Sequence, residues 1–182
     1  MDELIDILTD NGEPTGTRAM KTEAHRKGLF HPTVHIWFYT SDGKILLQKR
    51  AENKDTHPGL WDVSVAGHIG AGENILDSAL REIAEEIGLS ISETALQKIG
   101  IFKSVQKHSE SLIDCEFHHT FLSELKFPLE KLTKQESEVN DLKLLSIKKL
   151  EDELLHPDKS KIYVPHSQTY YSTIVSEIKK LL

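Results

Sequence analysis

The fold turns on one stretch, Gly67-His68-Ile69-Gly70-Ala71-Gly72-Glu73-Asn74-Ile75-Leu76-Asp77-Ser78-Ala79-Leu80-Arg81-Glu82-Ile83-Ala84-Glu85-Glu86-Ile87-Gly88-Leu89. Glycines at 67, 70 and 72 mark a turn that enters a helix. From Asn74 onward Leu76, Leu80, Ile83 and Ile87 recur at i, i+4, i+7 and i+11, so one side of the helix packs on a sheet; Gly88 is its natural stop. With 3.6 residues per turn, Glu85 and Glu86 lie at about −60° and about +40° from Glu82, and three carboxylates share one narrow stripe. Like charges at this spacing destabilise a helix by a few tenths of a kcal/mol per pair, and Arg81 is the one local cation. The stripe is therefore either a solvated acidic face or a cation site, and hard oxygen ligands suit Mg²⁺ or Mn²⁺.

Outward from this helix, Val34 to Tyr39 is β-branched and aromatic, Ser41-Asp42-Gly43 turns the chain, and Lys44 to Arg50 reads as the second arm of a central hairpin. Trp61 to Val65 predicts a short strand. Further strands are expected near Ile99 to Val105, Cys115 to Leu122 and Lys143 to Ile147, and helices over Ile147 to Leu155 and Thr169 to Leu182. Leu4 to Leu8 followed by Asp10-Asn11-Gly12 predicts an N-terminal hairpin. Strands mixed with helices imply an α/β layered domain. No linker or repeat divides the chain, which reads as an extension over residues 1–30, a main domain over 31–165 and a C-terminal helix over 166–182. Trp37 and Trp61, on strand positions, read as core.

The 182 residues are 38% hydrophobic and 28% charged, with a formal net charge of −7. That charge disfavours broad adhesion to nucleic acid, while local basic clusters still allow a small phosphorylated ligand. No apolar run approaches the roughly 18 residues of a membrane helix, and the start lacks a basic leader, so no membrane partner and a cytoplasmic location are expected. Cys115 is the single cysteine, which excludes an internal disulfide. A homodimer is compatible with the sequence.

Read in full, the opening stretch is Gly67, five residues, Glu73, seven residues, then Arg81-Glu82-Ile83-Ala84-Glu85-Glu86-Ile87-Gly88-Leu89. It resembles the Nudix box at every defining position. Seven fixed residues at about 7% each make a chance match on the order of one in a hundred million per starting position. The resemblance implies an α/β/α sandwich around a mixed sheet, and Mg²⁺- or Mn²⁺-assisted attack of water on the phosphorus of a small diphosphate, such as a nucleoside diphosphate derivative. It implies Glu82 and Glu86 as direct ligands, the Gly67 carbonyl as a further one, and Glu85 as ligand or base. Glu73, with Arg81, would support the loop. Glu138, in Glu136-Ser137-Glu138-Val139, falls where many Nudix hydrolases place an additional base or ligand.

Outside the box, His25 to His31, Leu46 to Arg50, Pro58-Gly59-Leu60-Trp61 and Gly67-His68 resemble the isopentenyl diphosphate isomerase-like branch of the superfamily. Arg50 and Lys54 match positions that hold the substrate diphosphate there, and His25, His31, His68, Asp114 and Glu116 resemble its metal-binding groups. The isomerases place a catalytic cysteine before the Gly-His pair, where this chain has Ala66, and they retain only part of the glutamate set. Both departures favour hydrolysis over isomerisation. A catalytically silent, nucleotide-sensing domain is the remaining alternative, against which the intact glutamate set argues.

Overall fold

A computed structural model describes residues 2–182. Strands β1 (Leu4–Leu8) and β2 (Pro14–Met20) form the N-terminal hairpin, with antiparallel register Leu4 to Met20. They are followed by α1 (Lys21–Lys27), which ends at Gly28 in the left-handed region, φ 61°. The sequence reading assigned no element to residues 21–27, because seven residues are too few to show a helical period. The hairpin is fastened to the rest of the chain by backbone bonds from Leu8 N–H to Phe30 C=O and from Ala71 N–H to Leu4 C=O. Ile5, Ile7, Ala19 and Ala24 form a small core of their own.

The main sheet contains β3 (His31–Tyr39), β4 (Lys44–Arg50), β5 (Trp61–Asp62), β6 (Val65–His68), β7 (Gln97–Lys107), β8 (Ile113–Glu124) and β9 (Val139–Ser146). β3 runs parallel to β8 along its whole length and antiparallel to β6; the remaining pairs are antiparallel. The sheet is thus mixed, as expected. Along β3 the side chains alternate between two cores. Val34, Ile36 and Phe38 pack with Ala79, Ile83 and Ile87 of α2 (Ile75–Ile87). Trp37 packs on the other face with Leu150 of α3 (Ile147–Leu155) and Tyr170, Ile174 and Ile178 of α4 (Gln168–Lys179). Helices therefore cover both faces, which is the α/β/α sandwich. No helix of the described residues is long and apolar enough to cross a membrane.

Three local expectations are corrected. The pair β3 and β4 meets only at its turn, with Tyr39 opposite Ile45, and then splays. Ser64 stands in the gap: its hydroxyl accepts from Phe38 N–H at 2.8 Å and donates to Leu46 C=O. The same residue interrupts the strand expected from Trp61 to Val65, which is two pieces, β5 and β6. On α2 the packing stripe is Ala79, Ile83 and Ile87, with Leu80 only half-buried and outside that core.

Candidate active site

α2 starts cleanly because the Asn74 side chain accepts the Leu76 N–H at 2.8 Å, and it stops at Gly88, φ 70°. The acidic stripe does not face away from the packed side. Glu82 and Glu86 border it, facing β6, and are 8% and 5% exposed, whereas the Glu85 side chain is 49% exposed. Burial pushes the Glu82 carboxyl up to about 7 and that of Glu86 up to about 8, the latter helped by the charge of Glu82. Glu86 Oε2 accepts from Gln48 Nε2 at 3.0 Å and Ala66 N–H at 3.2 Å, and Glu82 Oε1 accepts from Arg81 Nη1 at 2.7 Å. At Gly67 a Cβ would stand 2.0 Å from Cδ of Glu82, so no side chain fits between this strand and the helix.

Behind these acids, Arg81 bonds both Glu73 oxygens at 3.0 Å and the His68 carbonyl at 3.1 Å, and Glu73 also accepts the Gly70 N–H at 3.0 Å. Its hydrogen bonds to Arg81 hold the Glu73 carboxyl down at about 2 despite its burial. This clasp fixes the curvature of the loop between β6 and α2.

A cavity of about 510 Å³ brings together Gly67, Glu82, Glu85, Glu86, Arg50, Lys54 and Glu138. Glu138 arrives because its loop docks on the end of α2, through Thr133 N–H to Ile87 C=O and Gln135 N–H to Glu86 C=O, both 3.0 Å. Its carboxylate pairs with the Lys54 ammonium. Arg50 lines the same cavity, but its guanidinium is engaged within its own loop: Nε to Thr56 C=O at 3.0 Å, Nη2 to Thr56 Oγ1 at 3.1 Å and Nη1 to Asp62 at 3.3 Å. Glu73 and Arg81 are not among the lining side chains.

On another wall, ligand atoms of His25 from α1, His31 from β3, His68 from β6 and Glu116 from β8 all lie within 4.8 Å of one another. His31 Nδ1 faces the Leu29 carbonyl at 2.9 Å and must donate to it, which leaves Nε2 on the cluster side, buried, without a hydrogen bond and 3.5 Å from Glu116 Oε1. His25 Nε2 and His68 Nε2 are 3.3 Å apart, and burial holds His68 well below its ordinary value. Asp114 stands behind this set, 3.6 Å from His25 Nδ1 and 2.9 Å from His108 Nε2. Three imidazoles and one carboxylate are a donor set for a divalent ion such as Mn²⁺ or Zn²⁺. The two buried glutamates and the Gly67 cradle suit a harder one.

Sequence reasoning missed the cavity wall on the side of α4. There His35, His118, His166 and Asp62 line the wall. Each is tied to a residue remote in sequence: Thr33 to His118, His35 to Tyr170, Asp62 to His166. The one local hint was the His118-His119 alternation, which places His118 inward and His119 on the opposite face.

Comparison with known proteins gives the same grouping. The NUDIX domain model matches residues 29–164. Nudix hydrolase 3 of Arabidopsis thaliana is 37% identical over 169 residues, 91% of this chain; the chain spans only 22% of that protein's length. Isopentenyl-diphosphate Delta-isomerase 2 of Photorhabdus laumondii is 33% identical over 151 residues, covering 82% of this chain and 81% of the isomerase. The crystal structure of DR0079 from Deinococcus radiodurans has the same fold, with TM-score 0.67 at 19% identity, over 89% of this chain and all of the other. The chain belongs to the Nudix hydrolases, in the branch that resembles the isopentenyl diphosphate isomerases.

Proposed function

We propose that this chain is a Mg²⁺- or Mn²⁺-dependent hydrolase that opens the diphosphate linkage of a nucleoside diphosphate derivative or related small diphosphate by attack of water on phosphorus. The observation that carries the reading is the burial of Glu82 and Glu86 side by side against Gly67. Two carboxylates in that position are costly without a cation, and burial and repulsion from neighbouring carboxylates push both upward, as suits a pair that a cation would neutralise.

Glu82, Glu86 and the Gly67 carbonyl would hold the ion, and His25, His31, His68 and Glu116 would hold another. Bound there, a divalent cation polarises a phosphoryl oxygen and offsets charge on the leaving phosphate. Lys54 is placed to meet the diphosphate once its contact with Glu138 opens. Glu138 or the more exposed Glu85 would take the proton of the attacking water. Arg81 and Glu73 act at a distance, by keeping the Gly67 carbonyl in place.

Isomerisation has less support from the cavity. Ala66 offers a methyl group to it, and Cys115, on β8, is not among the lining residues. A screen of nucleoside diphosphates, sugar nucleotides and isopentenyl diphosphate with Mg²⁺, scoring released phosphate and rearranged product separately, tests the reading. Formation of the dimethylallyl isomer without phosphate release would overturn it.

A further inference from the structure

The cavity floor on the side of α4 is built from three imidazoles, each anchored from behind through one ring nitrogen. His118 Nδ1 is held by Thr33 Oγ1 at 2.8 Å, His35 Nδ1 by the Tyr170 hydroxyl at 2.7 Å, and His166 Nε2 by Asp62 Oδ1 at 2.8 Å. The anchors are themselves fixed. Trp37 Nε1 donates to the same Tyr170 hydroxyl at 2.9 Å, and Asp62 also accepts from Arg50 and from Val63 N–H. The ring centroids are 3.9, 5.4 and 6.0 Å apart. Each ring therefore has one nitrogen left for something else, and His118 Nε2 is buried with no partner at all.

A metal is not what these atoms are arranged for. Among the described residues, the group around His31 is the one set of three or more such donors that converges within 4.8 Å. The three rings, with centroids 3.9 to 6.0 Å apart, are spaced to meet different atoms of one molecule. A phosphate is disfavoured as well, because the Asp62 carboxylate lies at this end and burial beside two other imidazoles keeps His35 well below its ordinary value, hence uncharged. A prenyl chain or a stacked base is disfavoured by composition: Ala66 and Val164 are the aliphatic side chains of the lining, and no Phe, Tyr or Trp is among them. An apolar occupant would leave the buried Nε2 of His118 without a hydrogen bond and would cover the free nitrogens of the other two rings. Imidazole nitrogens that donate or accept are partners for hydroxyl groups.

We infer that this floor is a specificity subsite for a hydroxylated, sugar-like group attached to the diphosphate, read by His118, His166 and His35; the inference rests on the hydrolase reading above. The substitutions that test it follow from how each ring is anchored. His118→Asn keeps a polar atom at the Nδ1 position, for Thr33, and deletes Nε2. His166→Gln keeps one at the Nε2 position, for Asp62, and deletes Nδ1. With Mg²⁺ present, kcat and KM are measured for ADP-ribose and for isopentenyl diphosphate in the parent protein and both variants. The parent is expected to favour ADP-ribose by at least about tenfold in kcat/KM, and each variant to raise the KM for ADP-ribose about fivefold with little change in kcat. The ratio between the two substrates, which does not depend on the folded fraction, should fall accordingly. Hydrolysis of isopentenyl diphosphate as fast as ADP-ribose, or an unchanged ratio in both variants, overturns the subsite and leaves the hydrolase reading standing. If neither compound is cleaved, calorimetry of ADP-ribose on the Mg²⁺-loaded protein decides. Binding that weakens in the variants keeps the subsite while the hydrolase reading falls, and absence of binding overturns both.

Discussion

Replacing Glu86 with Gln separates the cost of the site from its use. Glu86 is 5% exposed, and burial together with the charge of Glu82 pushes its carboxyl up to about 8 from an ordinary 4.5. The folded value lies above the unfolded one, so between pH 4.5 and 8 the folded state holds a proton that the unfolded chain has released. Stability without metal must then fall as pH rises through this window, and Glu82, raised to about 7, adds to the same slope. At pH 7 the Glu86 contribution is at most about 3 kcal/mol, since each pKa unit corresponds to about 1.4 kcal/mol. Gln has the same shape, cannot ionise, and still offers an oxygen to Ala66 N–H and Gln48. The variant is expected to melt higher in EDTA at pH 7.5, by roughly 5 °C for about 2 kcal/mol in a domain of this size, with a flatter dependence on pH. Mg²⁺ should stabilise the parent by about 2.7 kcal/mol at a hundred times its Kd, and the variant much less, with turnover lowered by at least about a hundredfold. Scanning calorimetry from pH 5 to 8.5, with and without Mg²⁺, reads all of this. A variant that melts lower in EDTA, or that gains as much from Mg²⁺ as the parent, would refute the argument.

Gly67→Ala should lower turnover by about a hundredfold or more and cost roughly 1–3 kcal/mol, because its Cβ falls 2.0 Å from the Glu82 carboxyl carbon; near-normal rates would show that this approach is not needed. His31→Ala should remove one equivalent of bound Mn²⁺ or Zn²⁺, counted by elemental analysis after dialysis, with Mg²⁺ binding at the glutamates retained; unchanged stoichiometry would exclude an ion at the histidines. Arg50→Ala should act mainly on stability, by about 2 kcal/mol in urea, since it leaves Thr56 and part of buried Asp62 without their donor. A raised KM with unchanged stability would instead give Arg50 a direct role on the diphosphate.

What was legible in the sequence was what is local. The glycine turn, the helix over Ile75–Ile87 and its acids form one continuous segment, so spacing alone placed Glu82, Glu85 and Glu86 on one stripe. Spacing did not show which way the stripe faced: Ala79, too small to stand out in a periodicity count, carries the packing that Leu80 was expected to carry, and this turns Glu82 and Glu86 inward. The hairpin between Val34 and Arg50 was read from its turn, yet the side-chain bonds of Ser64 and the pairing of β3 with β8 come from residues further along the chain. The histidine floor was illegible for the same reason. Its anchors join Thr33 to His118, His35 to Tyr170 and Asp62 to His166, separations at which no spacing rule operates. His25, His31, His68 and Glu116 come from four different elements, and only the resemblance to the isomerase-like branch brought them together beforehand.

The two ends of the cavity answer a difficulty posed by its charge. Nine carboxylate side chains line it against three Lys or Arg side chains, in a chain already at −7, and a diphosphate is repelled by such a surface. The buried glutamates supply the remedy, because a group pushed up to about 7 or 8 holds a proton until a cation replaces it. On the proposed reading, cation binding would be a proton-for-metal exchange at neutral pH, and it would convert the acidic wall into a surface that accepts phosphate. The imidazoles are held mainly by other partners, Thr33, Tyr170 and Asp62, with Glu116 3.5 Å from His118 as the one point of contact with the metal-binding groups. On that reading one wall would change its charge with the metal while the other is held mainly by hydrogen bonds to Thr33, Tyr170 and Asp62. Affinity for a diphosphate would then depend on the cation, and selectivity for the attached group mainly on the protein.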